Sequence, residues 1–226
     1  MAKLQQVFIG CPYKKNIRGN YDRLKKELEA ETPLHVILAD TGAITSSDYL
    51  LDHIMSLVSE SAGCIFDATE GNPNVSLEVG IAHTLPVEYL LTVGTRKKRT
   101  KAEREAAKEA RAEGEIRAII SDLQGKNRIE YKQYPALRRE VLRRWLNELP
   151  YMQRWNLFKK DHKDMVPYAL QLFADLRTSN RSQRPRLVAA LEGTGFSATE
   201  VVDALVKKKL IVAKRGPGGG YFYPSK

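Results

Sequence analysis

The chain of 226 residues carries 37 Lys and Arg against 27 Asp and Glu, a formal net charge of +10, and 42% of it is hydrophobic. That is enough for one medium domain and a small one, and no run of about eighteen apolar residues suggests a membrane span. Two cysteines, Cys11 and Cys64, sit on apolar segments without metal-ligand spacing, which excludes a disulfide framework and fits reduced thiols.

From Met1 the chain passes quickly into a strand-like run, Val7–Gly10, without a signal-peptide pattern, so a cytoplasmic protein is expected. Further strand-like runs follow at His35–Asp40, Cys64–Thr69 and Glu88–Gly94. Helical patterns lie between them at Tyr21–Glu31, Asp48–Ala62 and Pro73–Leu85. In the second helix Leu50, Leu51, Ile54, Leu57 and Val58 form one stripe, and Ser47 suits its N-cap. Near-continuously apolar strands separated by helices imply a parallel sheet covered on both faces.

Thr95–Glu115, rich in Ala, Glu, Lys and Arg, reads as an exposed charged helix inserted between strands. Ile116–Ile120 leads into a turn at Ser121–Gly125, Arg128–Tyr134 is a fifth strand candidate, and Ala136–Leu149 a closing helix. The expectation is an α/β unit over 1–149 with a five-stranded parallel, flavodoxin-like (Rossmann-like) sheet.

Pro150–Asp164 reads as a linker, in which Trp155, Leu157 and Phe158 dock onto something; Trp155 and Phe158 are also candidates for a subunit contact in a homo-oligomer. Helical patterns at Met165–Arg177, Pro185–Leu191 and Ala198–Lys209 follow. The last opens with a capping box, Ser197 and Glu200. Leu210–Arg215 and Gly220–Pro224 flank a glycine-rich tip and read as a hairpin. Three helices and a hairpin are the order of a second, smaller winged-helix domain over 165–226. Gly216–Gly220 lacks the Lys-Ser/Thr of a phosphate loop, so a wing tip is expected.

Charge divides the chain. Residues 1–94 hold 7 basic and 12 acidic residues, a net of −5, whereas residues 95–226 hold 30 and 15, a net of +15. The basic part meets DNA or another polyanion, or serves only solubility. A nucleic-acid reading would use Lys207, Lys208, Lys214 and Arg215, chiefly on the backbone. Against it, Glu200 and Asp203 occupy the first turns of the supposed recognition helix, and winged helices also dock proteins.

The most informative stretch runs from Asp67 to His83. Asn72 suits an N-cap and Pro73 the first helical position, so a helix begins directly after a strand and a short loop, and its free N–H groups form an anion seat. On a helical wheel Leu77, Ile81, Leu85, Ala82, Val75 and Val79 share one broad arc, and Glu78 falls near its middle; His83 lies on the polar arc. A buried unpaired carboxylate costs several kcal/mol. Glu78 is therefore either satisfied structurally by the protein or held for a ligand. Asp67, at the carboxyl end of its strand, would open onto the same crevice, where two carboxylates suit acid–base or nucleophilic work.

The stretch Asp67, Asn72, Pro73, Asn74, Val75, Glu78, Gly80, Ala82 and His83 resembles the nucleoside 2-deoxyribosyltransferase superfamily and related bacterial TIR-like domains. Val7–Tyr13 is similar to their first strand and loop, and Asp122, Leu123, Ile129 and Tyr131 to their final strand region. The resemblance spans roughly residues 5–149. It implies that Glu78 attacks the sugar C1′ or binds the ribose hydroxyls while an N-glycosidic bond breaks. It also implies that Asp67 positions base or sugar, and that Gly10, Cys11, Pro12 and Tyr13 line the pocket together with Asn72 and Asn74. No metal or cofactor is required on this reading, and NAD or a nucleotide enters as substrate or ligand. The acidic residue and glycine that transferases usually place before the glutamate are replaced here by Asn72 and Asn74. Enzyme and non-catalytic sensor therefore both stay open.

Overall fold

The computed structural model describes residues 3–39, 47–69, 72–94, 128–179, 195, 197–214 and 220–224. β1 (Lys3–Gly10), β2 (His35–Leu38), β3 (Ser61–Asp67), β4 (Glu88–Gly94) and β5 (Arg128–Tyr131) form one parallel sheet in the order β2-β1-β3-β4-β5. α1 (Lys15–Glu31), α2 (Ser47–Ser59) and α3 (Pro73–Thr84) connect the first four strands. The expected α/β architecture with a five-stranded parallel sheet is thus present.

The strands alternate side chains between two cores. On one face Val7, Ile9 and Ile65 meet Tyr21, Leu24 and Leu28 of α1. On the other, Phe8, Cys64 and Phe66 meet Ile54 and Val58 of α2 and Val75, Val79 and Ala82 of α3. Both faces are dry, which is why the strands read as apolar runs rather than as alternating ones.

After β5 the chain stays helical as α4 (Tyr134–Glu140), a π turn (Val141–Trp145) and a 3-10 turn (Leu146–Glu148). The segment expected as a linker is helical: Pro150–Asp161 is α5, followed by a 3-10 turn at Lys163–Met165. Pro150 takes the first helical position, where its missing N–H is harmless. Tyr151, Met152, Trp155 and Phe158 then recur at helical spacing and are all buried. Trp155 is 0% exposed; it stacks on Phe158 at 5.4 Å and meets the edge of Phe173 at 5.8 Å. Neither ring is available to a second subunit, because both belong to the chain's own core.

α6 (Val166–Ser179), α7 (Ala198–Lys207) and an antiparallel pair, β6 (Val212–Ala213) with β7 (Tyr221–Phe222), complete the described elements. The Ser197–Glu200 capping box is formed in both directions. The helix expected at Pro185–Leu191, the charged helix at 95–115, the turn near 121 and the glycine-rich tip lie outside the described residues, and a winged-helix arrangement is not established by the rest. One apolar cluster runs from Val7 through Trp155 to Leu205 and Ile211. Arg177 of α6 donates to Glu29 O at 2.8 Å and Leu34 O at 3.2 Å, tying that helix to the turn between α1 and β2.

Candidate functional site

The strand order reverses between β1 and β3: β2 lies to one side of β1, and β4 and β5 lie beyond β3. In open α/β sheets the crevice at the carboxyl ends of such a pair is where ligands sit. Gly10 ends β1 and Asp67 ends β3.

α3 starts at this end because its cap is built locally. Asn72 Oδ1 accepts from Asn74 N at 2.9 Å and Val75 N at 3.3 Å, with Pro73 opening the first turn. The helix buries Val75, Glu78, Val79 and Ala82. Leu77, expected on that face, is instead 54% exposed. The face that packs is narrower than the apolar arc, and Glu78 rather than Leu77 occupies its centre.

Glu78 is 5% exposed, and its Oε2 is buried without a hydrogen-bond partner among the described residues. A methyl group on Gly10 would lie 1.9 Å from Oε2 and 2.8 Å from Phe66 Cδ1, so the carboxyl rests directly over the end of β1 and only glycine leaves room for it. Burial pushes the Glu78 carboxyl up to about 7, since ionisation there would forfeit hydration with no compensating donor. Near neutral pH the group is held between its two protonation states. A ligand bringing hydroxyl donors would supply what the carboxylate lacks.

Asp67 occupies a different setting. It is 0% exposed, and its Oδ2 accepts from Tyr21 Oη and Tyr131 Oη, each at 2.8 Å, while Oδ1 accepts from Thr69 N at 2.8 Å. Tyr21 also bonds Thr92 Oγ1 at 2.5 Å. Burial, reinforced by the Asp67 charge, pushes both phenols up and keeps them protonated donors. This network ties α1, β3, β4 and β5 together at the carboxyl end of the sheet. Reading the sequence alone misses Tyr21 and Thr92; the one signal is Thr92 itself, a hydroxyl interrupting the apolar run Leu90, Leu91, Val93.

Cys11 and Pro12 are buried just beyond β1. The Cys11 thiol is pushed up to about 12, chiefly by burial, with Asp67 and Glu78 adding and Arg18 opposing. Burial and Glu78 push Cys64 up as well. Neither thiol is a nucleophile at neutral pH. Tyr13 is largely exposed; its hydroxyl donates to Ala39 O at 3.1 Å, and the Arg18 guanidinium lies 5.5 Å from its ring centre. Asn72 Oδ1 is engaged in capping, and Asn74 is exposed one helical turn before Glu78. His83 is exposed as expected and bonds Tyr89 Oη at 3.1 Å.

Of the basic residues near the C-terminus, Lys207 and Lys214 are exposed. Lys208 pairs with Asp161 of α5 at 2.5 Å. Arg215 lies outside the described residues. Among those residues no group of three or more His, Cys, Asp or Glu could hold a metal ion, and no helix is long and apolar enough to cross a membrane. A scan against protein-family models and a search of curated proteins matched nothing to this chain.

Proposed function

We propose that the α/β unit handles a nucleoside or nucleotide and acts as an N-glycosidase, with Glu78 as the group that meets the sugar. The observation that carries this reading is a buried carboxyl with an unpartnered oxygen, pressed against Gly10 where the strand order reverses. Ribose hydroxyls donate to Glu78 and favour its ionised form. As the C1′–N bond breaks, the base leaves with the bonding electrons, and positive charge develops on the sugar. A carboxylate in a water-poor site stabilises that charge far better than it would in solution. Water or a second acceptor then attacks C1′, with loss of its proton. Asp67 holds the crevice floor through Tyr21 and Tyr131.

Because the reaction needs ionised Glu78, kcat/KM rises with pH through about 7 in the free enzyme. The test is to incubate the protein with NAD and a panel of nucleosides and deoxynucleosides, following base release by chromatography. Release from one of them, lost in Glu78→Gln, is the expected result. No release from any refutes the glycosidase reading.

A second reading draws support from Asp67. Its carboxylate is filled by three donors, which leaves Glu78 without a free acidic partner among the described residues, as in a site that binds without chemistry. The chain is then a nucleotide sensor whose basic C-terminal part meets DNA. Tight nucleotide binding without base release, together with salt-dependent affinity for duplex DNA, supports it.

A further inference from the structure

Among the described residues β2 forms one edge of the sheet. Ala39 N donates to Ile9 O at 3.1 Å, so His35, Ile37 and Ala39 turn their backbone groups toward β1. Leu34, Val36 and Leu38 therefore turn theirs outward. Two outward groups are taken within the chain: Leu34 O accepts from Arg177 at 3.2 Å, and Val36 N donates to Glu29 Oε1 at 3.0 Å. The Val36 carbonyl and the Leu38 N–H, next along the edge, have no partner among the described residues.

A cleft of about 580 Å³ opens beside them. Arg18, Asp22, Lys25 and Lys26 line it from α1, and His35, Ile37 and Leu38 from β2. Leu38 packs with the core on the α1 face, while Ile37 packs with the core on the opposite face. The cleft thus wraps around the sheet edge, and Glu78 forms none of its wall. Its charge is one-sided: among the described residues of the lining Asp22 is the only carboxylate, paired with Arg18 at 3.3 Å, while Lys25 lies 3.9 Å from Glu29 just outside it. His35 is pushed down to about 4 by burial and by Lys25, Arg177 and Lys3, so it is neutral at physiological pH amid cationic surroundings.

We propose that this cleft receives an extended acidic segment of a partner protein as an added parallel strand on the free edge of β2. A residue opposite Ile37 would donate its N–H to the Val36 carbonyl and accept from the Leu38 N–H, which is the parallel pattern. A phosphate brings only acceptors and would leave the Val36 carbonyl facing another acceptor; a peptide residue brings a donor and an acceptor at the right spacing. Side chains on the α1 face meet Arg18, Lys25 and Lys26 and are acidic, whereas alternate ones lie along Ile37 and are apolar.

The test uses the full chain and a fluorescein-labelled, end-blocked hexapeptide alternating Glu and Val, followed by anisotropy, with hydrogen exchange read at the Leu38 amide. Saturable binding that slows Leu38 exchange is expected. A loss of about tenfold or more is expected both for Lys25→Glu with Lys26→Glu and for the peptide N-methylated at every valine. Three results overturn the proposal: no saturable binding, an N-methylated peptide that binds equally well, or complete displacement by inorganic triphosphate with Leu38 exchange unchanged throughout. The latter two identify an anion site without strand pairing.

Discussion

Replacing Glu78 by Gln should change how stability depends on pH, and the structure sets the size of the change. The Glu78 carboxyl has its pKa pushed up to about 7 by burial, against an ordinary value of 4.5. Between those values the unfolded chain releases this proton while the folded chain keeps it. The folded state therefore gains from Glu78 below pH 4.5 and loses that gain progressively as pH rises toward 7. At about 1.4 kcal/mol per pH unit, stability from this group falls by roughly 2–3 kcal/mol between about pH 5 and pH 8. Glutamine fills nearly the same volume and does not titrate. Urea unfolding of wild type and Glu78→Gln across that range isolates the effect from every other carboxylate, because only the difference between the two curves matters. The variant should gain on wild type by roughly 2–3 kcal/mol as pH rises. Two curves that stay parallel would mean that Glu78 ionises normally and is not buried without a partner, and the argument for a held-open carboxyl would fall.

Three further outcomes follow from particular contacts. Gly10→Ala places a methyl group 1.9 Å from Glu78 Oε2, so it should destabilise by about 1–3 kcal/mol; much of that loss should disappear in the Glu78→Ala background, as a double-mutant cycle by chemical denaturation would show. Trp155→Ala empties a fully buried site between Phe158 and Phe173 and should cost about 3–5 kcal/mol in the same assay. Lys209 sits at φ 56 just past α7, where its N–H bonds Val206 O at 2.8 Å while Leu210 N bonds Leu205 O at 3.0 Å. Glycine suits that left-handed C-terminal position better, so Lys209→Gly should raise stability by about 0.5–1 kcal/mol, read as a higher thermal midpoint.

The sheet was legible because both of its faces are covered, so each strand announces itself as an apolar run between helices. The N-terminus of α3 was legible too, since Asn72 and Pro73 act on their own neighbours. Glu78 stood out for the same local reason: a carboxylate at the centre of an apolar arc has few harmless explanations. Non-local matters were not legible. Leu77 shares the arc but lies beyond the edge of what the sheet covers, and no wheel gives the width of that cover. Pro150–Asp164 reads as a linker in the sequence, yet Pro150 opens a helix, because what decides between the two is whether Tyr151, Met152, Trp155 and Phe158 find a surface to bury against. The partners of Asp67 come from α1, β4 and β5, far apart in the chain, so an acid that looked open to the crevice proves to be filled by its own protein. Lys208 is likewise claimed by Asp161.

The central claim is that the free oxygen of Glu78 is reserved for a sugar, and a crystal structure of the protein with adenosine or ADP-ribose bound tests it most directly. A ribose hydroxyl within about 2.6–3.2 Å of the Glu78 carboxyl, over Gly10, is the predicted result. A nucleoside seated elsewhere, with Glu78 turned to a protein donor, would contradict it.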